Sequence, residues 1–292
     1  MALTVRYPKI DYSKVRPHWA RSLAFSHHRN ATSFIPTPIE PWLIKILQRA
    51  RDLVPASNTR LLADIDGFIG QESQHFRQHR MFNRALVDAG YPELAQMEKE
   101  LEADLERFLQ HRSLKFLLAY ADGFESLGAL SGWVWFEQSD AWLEGADPSL
   151  TALWKWHMAE EFEHRNVCFD LYHALYGRGL WNAIWNGYFY RLYGFLFAVR
   201  HLNTGYMERM YDYLTGVDKA RMSEAERADF AADEKRFRKF LLRTALPLLS
   251  NFLPWYNPSR KRLPRGLMEY LKRFEPGGDY SRAPGEQGLA PA

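Results

Sequence analysis

The 292-residue sequence predicts an all-α protein: a four-helix bundle with a long crossover and additional helices toward the C-terminus. Three observations carry that expectation. Apolar residues recur with helical spacing while strand alternation is scarce. Proline, glycine and capping residues mark helix starts and stops along the chain. Two of the segments so bounded each contain a Glu-x-x-His, Glu72 with His75 and Glu161 with His164.

Taken in order, residues 1–36 read as an irregular N-terminal arm. Thr37-Pro38-Ile39-Glu40 then opens a helix, with Thr37 as cap and Pro38 at the first helical position, running to about Leu53. A second runs from Ser57-Asn58 to Asp88, closed by Gly90-Tyr91-Pro92. A third, rich in Glu and Lys, covers 93–110 and serves as the crossover. A fourth starts near Ser113 and ends before Gly145-Ala146-Asp147-Pro148, and a fifth runs from Pro148 to Tyr176. Helices of about 30 residues are near 45 Å long, the scale of an extended bundle. Residues 37–177 thus form the expected metal-binding bundle. Residues 178–274 are aromatic-rich helices packed on it, with a charged amphipathic helix from Ser223 to Leu246, and 275–292 read as a disordered tail.

Composition removes several classes of function. A single cysteine, Cys168, allows neither an internal disulfide nor a thiolate metal cluster, and reads as a small core residue. A net charge of +3 is too small for a dedicated nucleic-acid binder. No secretory leader is visible in Met1 to Trp19, so the cytoplasm is the expected compartment. The most apolar window, Leu180 to Val199, is interrupted by Asn182, Asn186 and Arg191 and does not read as a membrane span. No Gly-x-Ser-x-Gly or phosphate-cradling glycine loop is present.

What remains is a set of carboxylates and imidazoles. Residues three or four apart share a helix face, so Glu72, His75 and His79 project together, as do His157, Glu161 and His164. Bundles that hold two iron or manganese ions take a Glu-x-x-His from each of two helices and a Glu from each of two others. Hairpin arithmetic nominates the two further glutamates. Glu40 and Glu72 are equidistant from the turn at Ala56, and Glu125 and Glu161 are nearly so from the turn at Gly145-Pro148. Glu40 also stands where a capping box would put it, three residues after Thr37. Glu125 lies in an apolar helix, where an unpaired carboxylate would be costly. The expected metal ligands are Glu40, Glu72, His75, Glu125, His157, Glu161 and His164. His79 and Glu160 are expected behind them or as reserve ligands, with Glu163 on the opposite, solvated or ion-paired face.

At these residues the sequence resembles a bacterial, ferritin-like family of predicted metal-dependent hydrolases, over about residues 30–260. The matching blocks are Phe34-Ile35-Pro36 leading to Glu40, Phe68 through His75 with His79-Arg80-Met81-Phe82-Asn83, and His157 through Arg165 with Phe169-Asp170. Ile39 and Pro41 flank Glu40 where the family has Gly-Glu-Arg. The resemblance implies a ferritin-like four-helix bundle with two divalent metal ions as cofactors. The His157, Glu161 and His164 pattern is also similar to that of di-iron arylamine N-oxygenases. That likeness implies an O2-dependent oxidoreductase using iron, with manganese or zinc as alternatives, on a small apolar or aromatic substrate. Hydrolysis by a two-metal-activated water is the alternative, and a non-catalytic metal-binding helical protein a third. A homodimer is left open. The aromatic excess of 10 Trp, 15 Tyr and 19 Phe has three available uses: core, substrate channel, or peripheral membrane contact beside Arg260-Lys261-Arg262.

Overall fold

A computed structural model describes residues 3–275. Among these the chain is all-α, with no strand. The expected tail lies outside the described residues except for Glu275.

The N-terminal arm is not wholly irregular, which corrects the sequence expectation. Residues 3–22 are extended or turn, but Leu23–Ser33 form α1, capped by the Ser22 hydroxyl on the Phe25 amide. The extended part lies along α3 (Thr59–Asp88), where Gly67 and Gly70 make room for it. A Cβ at either would stand 2.6 Å from Leu3 Cβ or 2.3 Å from Val5 Cγ2. The next helix, α2 (Pro36–Arg51), begins two residues before Pro38, its expected first position. Thr37 does not cap it, because its buried hydroxyl turns to the Glu98 carboxylate instead. The capping-box reading of Glu40 therefore falls away.

Asn58 caps α3, and α4 (Glu93–His111) crosses over as expected. Ser113 caps α5 (Leu114–Glu137), which is followed by the short α6 (Asp140–Leu143). The expected fifth helix is two: α7 (Pro148–His164) and α8 (Val167–Tyr176). The Arg165 side chain causes a local exit, donating to Phe162 O at 2.5 Å and to Pro258 O at 3.0 Å, so a side chain takes an α7 carbonyl in place of the next turn's amide.

Helices α2, α3, α7 and α5 form the bundle, each in contact with the next around the ring. The C-terminal part begins with α9 (Leu180–Ile184), a π-helical turn (Trp185–Tyr190) and α10 (Arg191–Leu202), which packs on α5. Gly194 and Gly123 permit that approach: a Cβ on Gly194 would lie 2.5 Å from the Ala119 backbone. A second π-helical turn (Asn203–Met207) leads into α11 (Glu208–Lys219), which packs on α1. The charged helix α12 (Glu224–Ala245) carries the capping box of Ser223 with Glu226, then yields to a 3-10 segment at Leu246-Pro247. A 3-10 turn at Pro258–Arg260 and α13 (Leu267–Lys272) follow, the latter against α7. Among the described residues no helix is long and apolar enough to cross a membrane.

Candidate metal centre

Each bundle helix turns acidic or imidazole side chains toward the axis. α2 supplies Glu40, α3 Glu72 and His75, α5 Glu125, and α7 His157, Glu161 and His164; all seven are buried. They fall into two adjoining groups, Glu40 with His75, His157 and Glu161, and Glu72 with Glu125 and His164. Within each group one ligand atom per residue lies within 4.8 Å of the others.

Two carboxylates join the groups. Glu161 Oε1 lies 2.9 Å from His157 Nε2 and 3.8 Å from His75 Nδ1, while its Oε2 lies 3.6 Å from His164 Nε2. Glu72 Oε2 is 3.7 Å from His75 Nδ1 and its Oε1 3.2 Å from His164 Nε2. Glu40 closes one end, 3.3 Å from His157 Nε2, and Glu125 the other, 3.3 Å from His164 Nε2. The glutamates of the two Glu-x-x-His motifs are thus central and the lone glutamates terminal.

The atoms that converge here lack protein partners. Both oxygens of Glu40, Glu72 and Glu125, Oε2 of Glu161, Nδ1 of His75 and Nε2 of His164 are buried with no hydrogen bond. Buried polar atoms are nearly always paired, and an isolated buried carboxylate is expensive. A glycine completes the cradle: a Cβ on Gly128 would stand 1.9 Å from Glu161 Oε2. Converging carboxylate oxygens and imidazole nitrogens without protein partners fit metal ions.

The charge balance points the same way. Burial, and then the charge of the neighbouring glutamates, pushes the Glu40 carboxyl well above the usual range. Burial followed by Glu161 does the same to Glu125, and burial raises Glu72. Burial opposes ionisation of Glu161 too, but the His164 and His157 imidazoles hold its carboxyl low. His157 is driven down to about 4 by burial and by His75. His75 has burial against it, yet its hydrogen bond to Glu160 and the nearby Glu72 carboxylate lift it to about 9. Four carboxylates crowded in a dry space hold protons or need cations.

Each imidazole has a partner on its far nitrogen. His75 Nε2 meets Glu160 Oε2 at 2.9 Å, His164 Nδ1 meets Gln71 Oε1 at 2.9 Å, and His157 Nδ1 meets His79 Nε2 at 2.7 Å. Such partners set the tautomer that leaves the inward nitrogen free to bind metal. His79 leans in turn on Ser33 Oγ, which donates to Asn83 Oδ1. His79 therefore stands behind His157. Glu160 is not placed as a reserve ligand but behind His75, because the buried Arg6 guanidinium draws its other oxygen away at 2.9 Å. Arg6 also pairs with Glu163 at 2.9 Å, and Gln71 donates to the same carboxylate. Cys168 is a buried core thiol outside both groups.

Sequence reasoning passed over Arg6, Gln71 and Gly128. Gln71 had a visible signal, seven residues before Gln78 and next to Glu72 on the inward side of the helix. Gly128, three residues after Glu125 in an apolar helix, had one too. Arg6 had none, since only the path of the arm brings it to α7. The walls are aromatic: Phe68 lies 4.6 Å from the His164 ring, Trp156 4.9 Å from His75, and Trp154 4.9 Å from His79. A groove of about 400 Å³ between α2 and α4, lined by Thr37, Trp42, Arg80 and Glu102 among others, shares no residue with the centre.

A helical bundle enclosing buried His/Glu groups able to hold metal ions is the class that fold and site define. A family model described as "predicted metal-dependent hydrolase" matches residues 4–262, and the chain belongs to that family. The match starts well before residue 30, so it includes the arm that carries Arg6. Neither the curated proteins nor the solved structures contain a match to the chain.

Proposed function

We propose that the chain is a metal-dependent enzyme whose centre takes two divalent ions. Glu40, Glu72, His75, Glu125, His157, Glu161 and His164 would hold them. The observation that carries this reading is the set of nine buried, unpartnered oxygen and nitrogen atoms on six of those seven residues. Bound there, such a pair would supply an activated water for hydrolysis or, as iron, electrons for reaction with O2.

The family description supports hydrolysis as the first reading. A second reading, O2-dependent oxidation, is favoured by the donor set, four carboxylates with three imidazoles in a dry aromatic shell. In both, the chain's own residues act by position. Glu160, Gln71 and His79 orient the imidazoles, and Arg6 balances the charge of Glu160 and Glu163. Phe68, Trp154 and Trp156 exclude bulk water and suit a small apolar or aromatic substrate.

Metal analysis of purified protein should find two ions per chain. Glu72→Ala and His164→Ala should each remove most of this metal, and stoichiometric metal in both variants would overturn the site. The readings separate on loaded protein. Turnover of simple ester or phosphoester substrates by the zinc or manganese form supports hydrolysis. Stoichiometric O2 uptake by an anaerobically loaded ferrous form, without hydrolytic turnover, supports oxidation.

A further inference from the structure

The C-terminal part of the chain presents an apolar surface. On α9, the π-helical turn and α10, Trp181, Trp185, Phe189, Tyr193 and Leu196 recur at three or four residues and are all exposed, Trp181 by 71% and Trp185 by 61%. A second exposed series, Leu242, Leu246, Leu249, Phe252 and Trp255, runs from the end of α12 through the 3-10 segment. The two abut. The Tyr188 hydroxyl donates to Phe252 O at 2.8 Å, and the Phe195 and Phe252 rings are 6.2 Å apart.

Charge sorts with this face. Between Asp170 and Glu208 there is no acidic residue, and between Glu234 and Glu269 there is none either, yet the second stretch carries nine lysines and arginines. Adding Arg178, Arg191 and Arg200 from the first gives twelve positive charges and no negative one, in a chain whose net charge is +3. Some of these are already spent: Arg191 pairs with Asp122, Arg236 with Asp233 and Arg262 with Glu137. Arg178, Arg200, Lys239, Arg243 and Arg260 are exposed and form no ion pair among the described residues.

We propose that this face docks on an anionic lipid bilayer, with the tryptophans and leucines entering the headgroup and upper acyl region and the unpaired cations meeting lipid phosphates. Exposed tryptophan on an apolar stripe flanked by lysine and arginine is the composition of interfacial helices. A neutral protein surface would satisfy the apolar series but not the cations, and among the described residues no helix is long and apolar enough to cross a membrane. The protein therefore lies on the bilayer, independently of which reaction the metal centre performs.

The test is cosedimentation of the full chain, metal-loaded, with vesicles of phosphatidylglycerol and phosphatidylcholine, against vesicles of phosphatidylcholine alone. Binding should be about tenfold or more tighter on the anionic vesicles and weaken with salt. Tryptophan emission should shift to the blue and be quenched by brominated acyl chains. Trp181→Ser with Trp185→Ser should abolish vesicle binding while the helical circular dichroism and metal content stay unchanged. Lys239→Glu with Arg243→Glu should erase the preference for anionic lipid, which gives a second reading if the tryptophan variant misfolds. Absence of binding to both vesicle types overturns the proposal. So does a chain that is dimeric without lipid and becomes monomeric in the tryptophan variant, which would make this face a contact between two copies.

Discussion

Two clusters of histidine and carboxylate occur among the described residues, and one of them has the character of a metal centre. His18, His27 and Asp218 bring their ligand atoms as close together as the bundle cluster does. There, however, every carboxylate oxygen is taken. Asp218 Oδ2 faces both His18 Nε2 and His27 Nε2 at 2.6 Å, and Oδ1 accepts from the Tyr91 hydroxyl at 2.7 Å. The cluster ties the arm and α1 to α11, and its hydrogen bonds complete it. On the bundle axis the same residue types are left unpaired. Residue type and proximity do not define a metal site; unsatisfied inward atoms, each backed by an outer partner, do.

The largest effect that could break this contrast is expected at Gly128. Its Ala variant drives a methyl group into Glu161 Oε2, so metal affinity should fall on the order of 10–100-fold in a chelator competition. Gly216→Ala, where a Cβ meets nothing within 4 Å, is the control and should leave affinity unchanged. Undiminished affinity in Gly128→Ala would mean Glu161 is not a ligand. Next comes Glu160→Gln, which weakens the support of His75 and leaves Arg6 with one carboxylate; roughly tenfold weaker metal binding is expected in the same titration.

At the other cluster, Asp218→Asn should leave metal content intact and lower unfolding stability by about 1–3 kcal/mol in denaturant titrations, because one of the two acceptor oxygens gives way to an NH2 group and the remaining bonds lose their charge. Loss of metal in that variant would erase the distinction between the clusters.

The smallest effect is the pH dependence of the metal-free protein, in which the two clusters have opposite signs. The Glu40 and Glu125 carboxyls are raised above 4.5, so their contribution is fully present below that pH and is lost as pH rises. Asp218 has burial against its charge, but hydrogen bonds from His18, His27 and Tyr91 hold it below 3.8. Its contribution is present above that pH and is lost in acid. Thermal melts of metal-free Glu40→Gln should therefore fall less steeply with rising pH above 4.5 than those of wild type. Asp218→Asn should instead flatten the acid side. Parallel curves for Glu40→Gln and wild type would show that Glu40 is not held protonated.

Much of the bundle was legible because its signals are local. The helix starts expected near Asn58, Ser113 and Ser223 and the stop at Gly90 rest on signals that act within one turn of chain, and each stands where the sequence puts it. Hairpin symmetry about Ala56, and nearly about the turn at Gly145-Pro148, brought Glu40 and Glu125 to the depth of the two motifs, because antiparallel helices of equal rise keep register from their turn. Thr37 misled for the opposite reason. Its capping signal is local, but the partner that overrides it is Glu98, on another helix. At the break after His164, Arg165 bonds both the local Phe162 carbonyl and the distant Pro258 carbonyl, and only the first lies within reach of a local signal.

The aromatic residues divide in the same way. Nothing in their local sequence separates Trp135, Trp154 and Trp156, buried beside the centre, from Trp181, Trp185 and Trp255, which lie in solvent. Sequence alone determined the helical class, the spacing that puts a carboxylate and an imidazole on one face, and the absence of thiolate chemistry, since these follow from the period of a helix and from composition. Tertiary structure decided which glutamates lie between the two groups, that Arg6 and Gly128 belong to the centre, and which aromatic faces remain uncovered. Those outcomes depend on how helices far apart in the chain approach one another, and one helix's periodicity carries no information about its neighbour's position.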